Sequence, residues 1–205
     1  MKILYVHGLG SNGNGNTVNW IREKFTDHEI YSFDIPFDPD EAIKFIKMKC
    51  KELSINTIIG TSLGGFYAMQ IHGYYKILIN PAIKAYEVAK KIGYGTYNYF
   101  GNREDNINTY TIDENFYNKL FNQYNKHITT IDKELKLETY GLFGNNDELC
   151  DYKNDFRELY NKDQMITADF GHRLTDNIFN NEFTTLFNTV VERTNNERFW
   201  WLWYS

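Results

Sequence analysis

The chain has 205 residues, 42% of them apolar, 17% aromatic and 24% charged, and 22 Lys and Arg against 27 Asp and Glu leave a formal charge of −5. That length supports one domain with a substantial core, and only 3 Pro and 14 Gly argue against a disordered chain. Net negative charge with no Lys/Arg cluster disfavours nucleic-acid binding, and no apolar run approaches the ~20 residues of a membrane helix.

In chain order, the first apolar run, Ile3–Val6, reads as a buried strand and is far too short for a signal-peptide core. A loop, His7-Gly8-Leu9-Gly10, follows, and then an Asn- and Gly-rich stretch from Ser11 to Asn16. A helix is expected over Val18–Phe25, a strand over Ile30–Phe33 and a helix over Asp40–Leu53. In that second helix Ala42, Ile43, Phe45, Ile46 and Met48 form the apolar stripe, with Lys44, Lys47 and Lys51 opposite and Pro39 suited to its start. Strand Thr57–Ile59 leads into helix Ser62–His72, and strand Ile77–Ile79 into helix Ala85–Ile92. A Tyr- and Asn-rich segment from Gly93 to Ile112 precedes helix Glu114–Tyr124. Strand Tyr140–Phe143, helix Asp151–Tyr160, strand Met165–Thr167 and helix Asn177–Glu192 complete the pattern. The aromatic tail Phe199–Tyr204 reads as a segment packed on the domain, with a homodimer contact or interfacial anchor as the alternative.

Short strands alternating with helices imply parallel pairing through crossovers. The expected fold is therefore a single α/β domain over residues 1–205, a three-layer α/β/α sandwich with a mostly parallel sheet of about six strands. Such sheets bind ligands beyond the carboxyl ends of their strands, so the loops that follow strands are where chemistry is expected.

Gly60-Thr61-Ser62-Leu63-Gly64 is a G-x-S-x-G pattern placed between a strand and a helix. A nucleophilic serine on so sharp a turn takes strained torsions, and glycine two positions either side lets strand and helix approach. A plain helix N-cap is the competing reading of Ser62. After strand Tyr140–Phe143 comes Gly144-Asn145-Asn146-Asp147-Glu148, in which Asp147 stands where a histidine-orienting acid is expected, with Glu148 and Asp151 as competitors. After the last strand comes Phe170-Gly171-His172. Of the five histidines only His172 follows both the last strand and the candidate acid, which makes it the candidate general base. The backbone amides of Leu9 and Leu63 are candidate oxyanion donors, and His7, Tyr94 and Tyr97 are candidate substrate contacts. Tyr86, Tyr99 and Tyr110 are further aromatics of the same segment that could wall a pocket.

The order Ser62, Asp147, His172 is that of the α/β-hydrolase fold. With Leu4-Tyr5-Val6-His7-Gly8, Gly60 to Ala68, Asn80-Pro81-Ala82, Asp147 to Tyr152 and Gly171-His172, the chain resembles the α/β-hydrolase superfamily and, more narrowly, its small YqiA-like esterases. That resemblance covers roughly residues 1–190. It implies a minimal α/β-hydrolase fold with residues 85–135 as the cap, Ser62 as nucleophile, Asp147 as acid and His172 as base. It also implies a serine carboxylesterase that cleaves small acyl esters or thioesters, with no cofactor and no metal. Cys50 and Cys150 make neither a disulfide framework nor a zinc spacing, and a cytoplasmic, reducing address is expected. The expected partner is a small-molecule ester, with no nucleic acid and no integral membrane association.

Two readings compete. Gly8, Gly10 and Gly13 make a literal G-x-G-x-x-G after a strand, with Asp34 some 20 residues on, as in a dinucleotide-binding protein. That fingerprint should run straight into a helix, whereas Asn14-Gly15-Asn16 suggests a loop. The other is a hydrolase-fold protein that binds without turnover.

Overall fold

The apolar runs become a sheet to whose two faces they contribute alternately. In this computed structural model, which describes residues 1–204 and side chains as far as residue 196, eight strands are assigned. They are β1 (Lys2–Val6), β2 (Glu29–Ser32), β3 (Thr57–Thr61), β4 (Tyr75–Ile79), β5 (Gly95–Asn98), β6 (Thr109–Ile112), β7 (Thr139–Gly144) and β8 (Met165–Ala168). Six of them form one parallel sheet in the order β2-β1-β3-β4-β7-β8. Its register sets Val6 beside Gly60, Thr61 beside Ile79 and Gly144 beside Ala168, so the carboxyl ends of five strands lie along one rim.

Successive side chains of a strand point to opposite faces. Leu4, Val6, Ile58, Leu78 and Phe143 pack on one side, against Ala42 and Ile46 of α2 (Pro39–Glu52) and Phe66 of α3 (Leu63–Ala68). Ile3, Tyr5, Ile59, Ile77, Ile79, Tyr140 and Leu142 pack on the other. There they meet Val18 and Ile21 of α1 (Asn16–Lys24), and Phe187 and Val190 of the C-terminal helix (Thr184–Tyr204). Both sheet faces are covered, which is why the strands are continuous apolar runs. Asp38 caps α2 by accepting from the amides of Asp40 and Glu41, and Pro39 stands at its first position.

Several elements differ from expectation. The helix after Ser62 ends at Ala68 rather than His72, because Gln70 and Ile71 tighten into three-residue turns onto Tyr67 and Ala68. The segment Lys133–Glu138, not expected as a helix, is one, started by the Asp132 side chain on the Leu135 amide. The C-terminal helix is entered through a short α-turn (Asp176–Ile178) and a π-helical turn (Phe179–Phe183), where one continuous helix was expected. β5 and β6 form an antiparallel hairpin within the Tyr- and Asn-rich segment, with Tyr97 facing Tyr110 across it. The aromatic tail Phe199–Tyr204, and the dimer contact expected of it, lie outside the described side chains. No described helix is long and apolar enough to cross a membrane.

Candidate active site

Ser62 is the first residue beyond β3 and carries φ 53° and ψ −118°, a left-handed torsion that costs a serine on the order of 1–3 kcal/mol. Surrounding bonds hold it there. Its amide donates to the Ile79 carbonyl oxygen at the end of β4 (3.0 Å), and its own carbonyl accepts from Phe66 (3.1 Å) and Ala82 (3.0 Å). Glycine at 64 is a packing requirement, since a Cβ there would be driven into the carbonyl oxygens of Val6 and His7. A Cβ at Gly8 would stand 3.1 Å from the Ser62 Cβ and 3.7 Å from its Oγ. The hydroxyl makes no capping bond to α3, so the N-cap reading is not the role it takes.

It meets the His172 ring instead. His172 Nε2 lies 3.1 Å from Ser62 Oγ, and His172 Nδ1 lies 2.9 Å from Asp147 Oδ2. Asp147 is buried, and its other oxygen accepts from the amides of Leu149 (2.8 Å) and Cys150 (2.9 Å). Burial acts to raise its carboxyl, but the His172 hydrogen bond and these two amides prevail and hold it below the usual carboxylate range. An ionised carboxylate only accepts, so the imidazole proton sits on Nδ1 and the Nε2 lone pair faces the hydroxyl. The competing acids are elsewhere. Asp151 is exposed and paired with Lys153 at 2.6 Å, and the Glu148 backbone carbonyl receives Lys91.

One residue of this arrangement was read in the sequence only as part of a family marker. Asn80, 1% exposed and with φ 41°, follows β4 and ties three strand ends together. Its Oδ1 accepts from the Gly144 amide at 2.7 Å, and its Nδ2 donates to the carbonyl oxygens of Gly171 (2.9 Å) and His172 (3.1 Å). Asparagine tolerates positive φ better than other residues bearing a Cβ, so both its backbone and its amide are used.

Ser62 and His172 open onto a cavity of about 570 Å³. Leu9 and Leu63 line it beside Ser62, and Leu63 heads α3, where a first-turn amide lacks an intrahelical partner. Its far wall is apolar: Val88, Ala89 and Ile92 from α4 (Ala85–Ile92), Tyr97 and Tyr110 from the hairpin, and Phe116 and Leu120 from α5 (Glu114–Ile128). Tyr94, by contrast, is 60% exposed and lines no part of it, and neither do Tyr86 and Tyr99. Nor does His7, which is a structural residue: its Nε2 accepts from the Ile35 amide (3.0 Å) and its Nδ1 bonds the Gly8 carbonyl (2.9 Å). Burial brings its pKa down to about 4. Arg173 and Phe100 were not foreseen. Both line the cavity, with the guanidinium 5.8 Å from the ring centre. The glycine loop does not run into a helix, since α1 begins only at Asn16, and both oxygens of Asp34 are taken by the amides of Gly13 (2.8 Å) and Glu104 (2.6 Å).

Residues 2–188 match the uncharacterised protein family UPF0227. The chain belongs to that family. Among solved structures, this UPF0227 member is similar to a monoacylglycerol lipase of Paleococcus ferrophilus, with 17% identity, TM-score 0.64, and 95% of this chain and 94% of that one covered. It is also similar to Est1E from Butyrivibrio proteoclasticus, with 14% identity, TM-score 0.66, and 93% and 87% covered. The mouse alpha/beta hydrolase domain-containing protein 10 is another, with 14% identity, TM-score 0.65, and 93% and 90% covered. A search of curated proteins finds no match. The UPF0227 member thus has the α/β-hydrolase fold, as the similar structures do.

Proposed function

We propose that this protein is a serine carboxylesterase acting on small acyl esters or thioesters, with Ser62 as nucleophile, His172 as general base and Asp147 as the residue that orients it. What supports this reading above all is the unbroken hydrogen-bonded line from Ser62 through His172 to Asp147, opening onto an apolar cavity. The monoacylglycerol lipase among the similar structures points the same way.

In this reading His172 Nε2 accepts the hydroxyl proton as Ser62 Oγ bonds to the ester carbonyl carbon. The oxyanion forms beside the Leu9 and Leu63 amides, where fixed donors act without having to reorganise. The tetrahedral species collapses as the imidazolium passes its proton to the departing alcohol or thiol. Water then attacks the acyl-enzyme, His172 takes that proton, and Ser62 leaves with it. Asp147 stays ionised throughout and stabilises the imidazolium. The segment 85–135 acts as the cap, and its apolar wall takes the acyl chain.

Against the dinucleotide alternative stand the loop that precedes α1 and the two amides that the Asp34 carboxylate already accepts. A non-catalytic binding protein remains the second reading, and turnover separates the two. Initial rates against p-nitrophenyl esters of increasing acyl length, run beside a thioester and an amide, are expected to show ester turnover. Ser62→Ala should reduce it by about a thousandfold or more without unfolding the chain. Equal rates for the variant and the wild type would reject the proposal.

A further inference from the structure

Cys150 is fully buried three residues beyond Asp147, and its thiol has no part in the chemistry proposed above. Burial pushes that thiol up to about 12, the Asp147 charge adds to the rise, and the neighbouring Ser62 hydroxyl opposes it. One ligand atom each from Asp147, Cys150 and His172 lies within 4.8 Å of the other two. The donors come from two loops already fixed against each other. Asp147 and Cys150 share a single turn, closed by the Cys150 amide on Asp147 Oδ1, and His172 arrives from the loop beyond β8 on the Asn80 tether.

We infer that Asp147, Cys150 and His172 form a site for a thiophilic divalent cation of the zinc class, and that its occupancy switches the Ser62 centre off. A thiolate, an imidazole and a carboxylate are three of the ligand types zinc takes, with the fourth position left to water or to the Ser62 hydroxyl. Calcium and magnesium are excluded by the same set, because they require several oxygen ligands and only one carboxylate is present. Tetrahedral zinc spaces N, O and S donors about 3.3–3.6 Å apart, so a separation near the 4.8 Å limit closes by about 1 Å, whereas His172 Nδ1 and Asp147 Oδ2, 2.9 Å apart, part slightly if both are ligands. His172 can supply that movement, since its side chain is 28% exposed while that of Asp147 is fully enclosed.

The step balances without a redox partner. A metal–sulfur bond forms, the Cys150 S–H bond breaks heterolytically, and the proton leaves to solvent. If the cation takes His172 Nδ1, the ring proton passes to Nε2 and closes the lone pair that faces Ser62; if it takes Nε2, it occupies that lone pair itself and Nδ1 keeps its proton on Asp147. Either way the base is lost until a chelator removes the ion. The cation site stands on this geometry alone, whereas its effect on turnover rests on the hydrolase reading.

Cobalt(II) is the probe, titrated into the full-length chain, because a thiolate ligand gives a cobalt charge-transfer band in the near ultraviolet. The expected result is a band that saturates at one equivalent, is displaced by zinc, and is lost in both Cys150→Ala and His172→Ala. Zinc affinity should fall by more than about tenfold in each variant. Zinc is also expected to suppress wild-type ester hydrolysis and a chelator to restore it. No thiolate band, or one that survives Cys150→Ala as it would if Cys50 supplied the sulfur, overturns the site. A band with undiminished turnover overturns the inhibition, and a chain without ester turnover leaves the cobalt spectrum to decide the site by itself.

Discussion

Asn80 holds His172 through the backbone and not through the ring: its Nδ2 donates to the His172 carbonyl oxygen at 3.1 Å, while its Oδ1 accepts from Gly144 in the neighbouring strand. His172 is thereby tied to the end of β4, the strand whose last residue, Ile79, also takes the Ser62 amide. Both partners in the Ser62–His172 contact hang from the same strand terminus. This fixes a 3.1 Å separation between residues 110 positions apart in the chain.

Asn80→Ala is therefore expected to do two things. Leaving the Gly144 amide and two carbonyl oxygens without their partner in a buried place should cost about 2–4 kcal/mol of stability, read by urea denaturation. It should also lower kcat more than it raises KM, because the ring shifts while the cavity wall stays. Asn80→Asp keeps the acceptor but sets a carboxylate against two carbonyl oxygens, so its kcat should fall at least as far. A kcat unchanged in both variants would remove Asn80 from any positioning role.

The acid assignment separates two residues four positions apart. Asp147→Asn should lower kcat by about 10³–10⁴-fold, since a neutral amide neither enforces the Nδ1–H tautomer nor stabilises imidazolium. Asp151→Asn breaks only an exposed pair with Lys153 and should stay within about threefold of wild type. The opposite ranking in steady-state assays would move the acid to Asp151.

Two buried histidines set an acid sensitivity separate from catalysis. Burial brings both His7 and His127 down to about 4, with the Gly8 carbonyl opposing it at His7 and the His72 and Lys76 charges adding to it at His127. Each ring therefore stays neutral in the folded chain at pH values where it is protonated in the unfolded one. Their stabilising effect is complete above the ordinary histidine pKa near 6.5 and is lost as pH falls from there toward 4. At pH 5 each should cost about 2 kcal/mol relative to pH 7, before most carboxylates titrate. His127→Gln, at a ring that bonds the Tyr160 hydroxyl at 2.7 Å, should reduce the slope by about one proton. Unfolding free energies that do not change between pH 7 and 5 would contradict this.

The six strands of the main sheet were legible because each is an apolar, β-branched or aromatic run flanked by turn residues, a signal carried within a few positions. The hairpin escaped because Gly95–Asn98 and Thr109–Ile112 are built of Gly, Thr, Tyr and Asn with a single Ile, every second residue is exposed, and a ten-residue loop lies between them. Ser62, Asp147 and His172 could be picked out because each occupies the loop after a strand, where parallel sheets gather their ends. Asn80 could not be assigned its task in this way. Its partners lie 64, 91 and 92 residues away, and nothing local distinguishes it from a turn asparagine. His7 follows a strand as the others do, but its ring is spent on two backbone groups, one of them the Gly8 carbonyl, in keeping with the loop-forming role its Gly8 neighbour suggests in the sequence.

The most direct measurement is covalent. A fluorophosphonate labels a serine only when a base takes its proton and an oxyanion site receives the phosphonyl oxygen, so it interrogates the arrangement around Ser62 with no assumption about substrate. Intact-mass and peptide analysis of the treated chain should find a single adduct on Ser62, abolished in Ser62→Ala and strongly slowed in His172→Ala. An unlabelled Ser62 in the folded wild-type chain, or equal labelling after His172→Ala, would contradict the account.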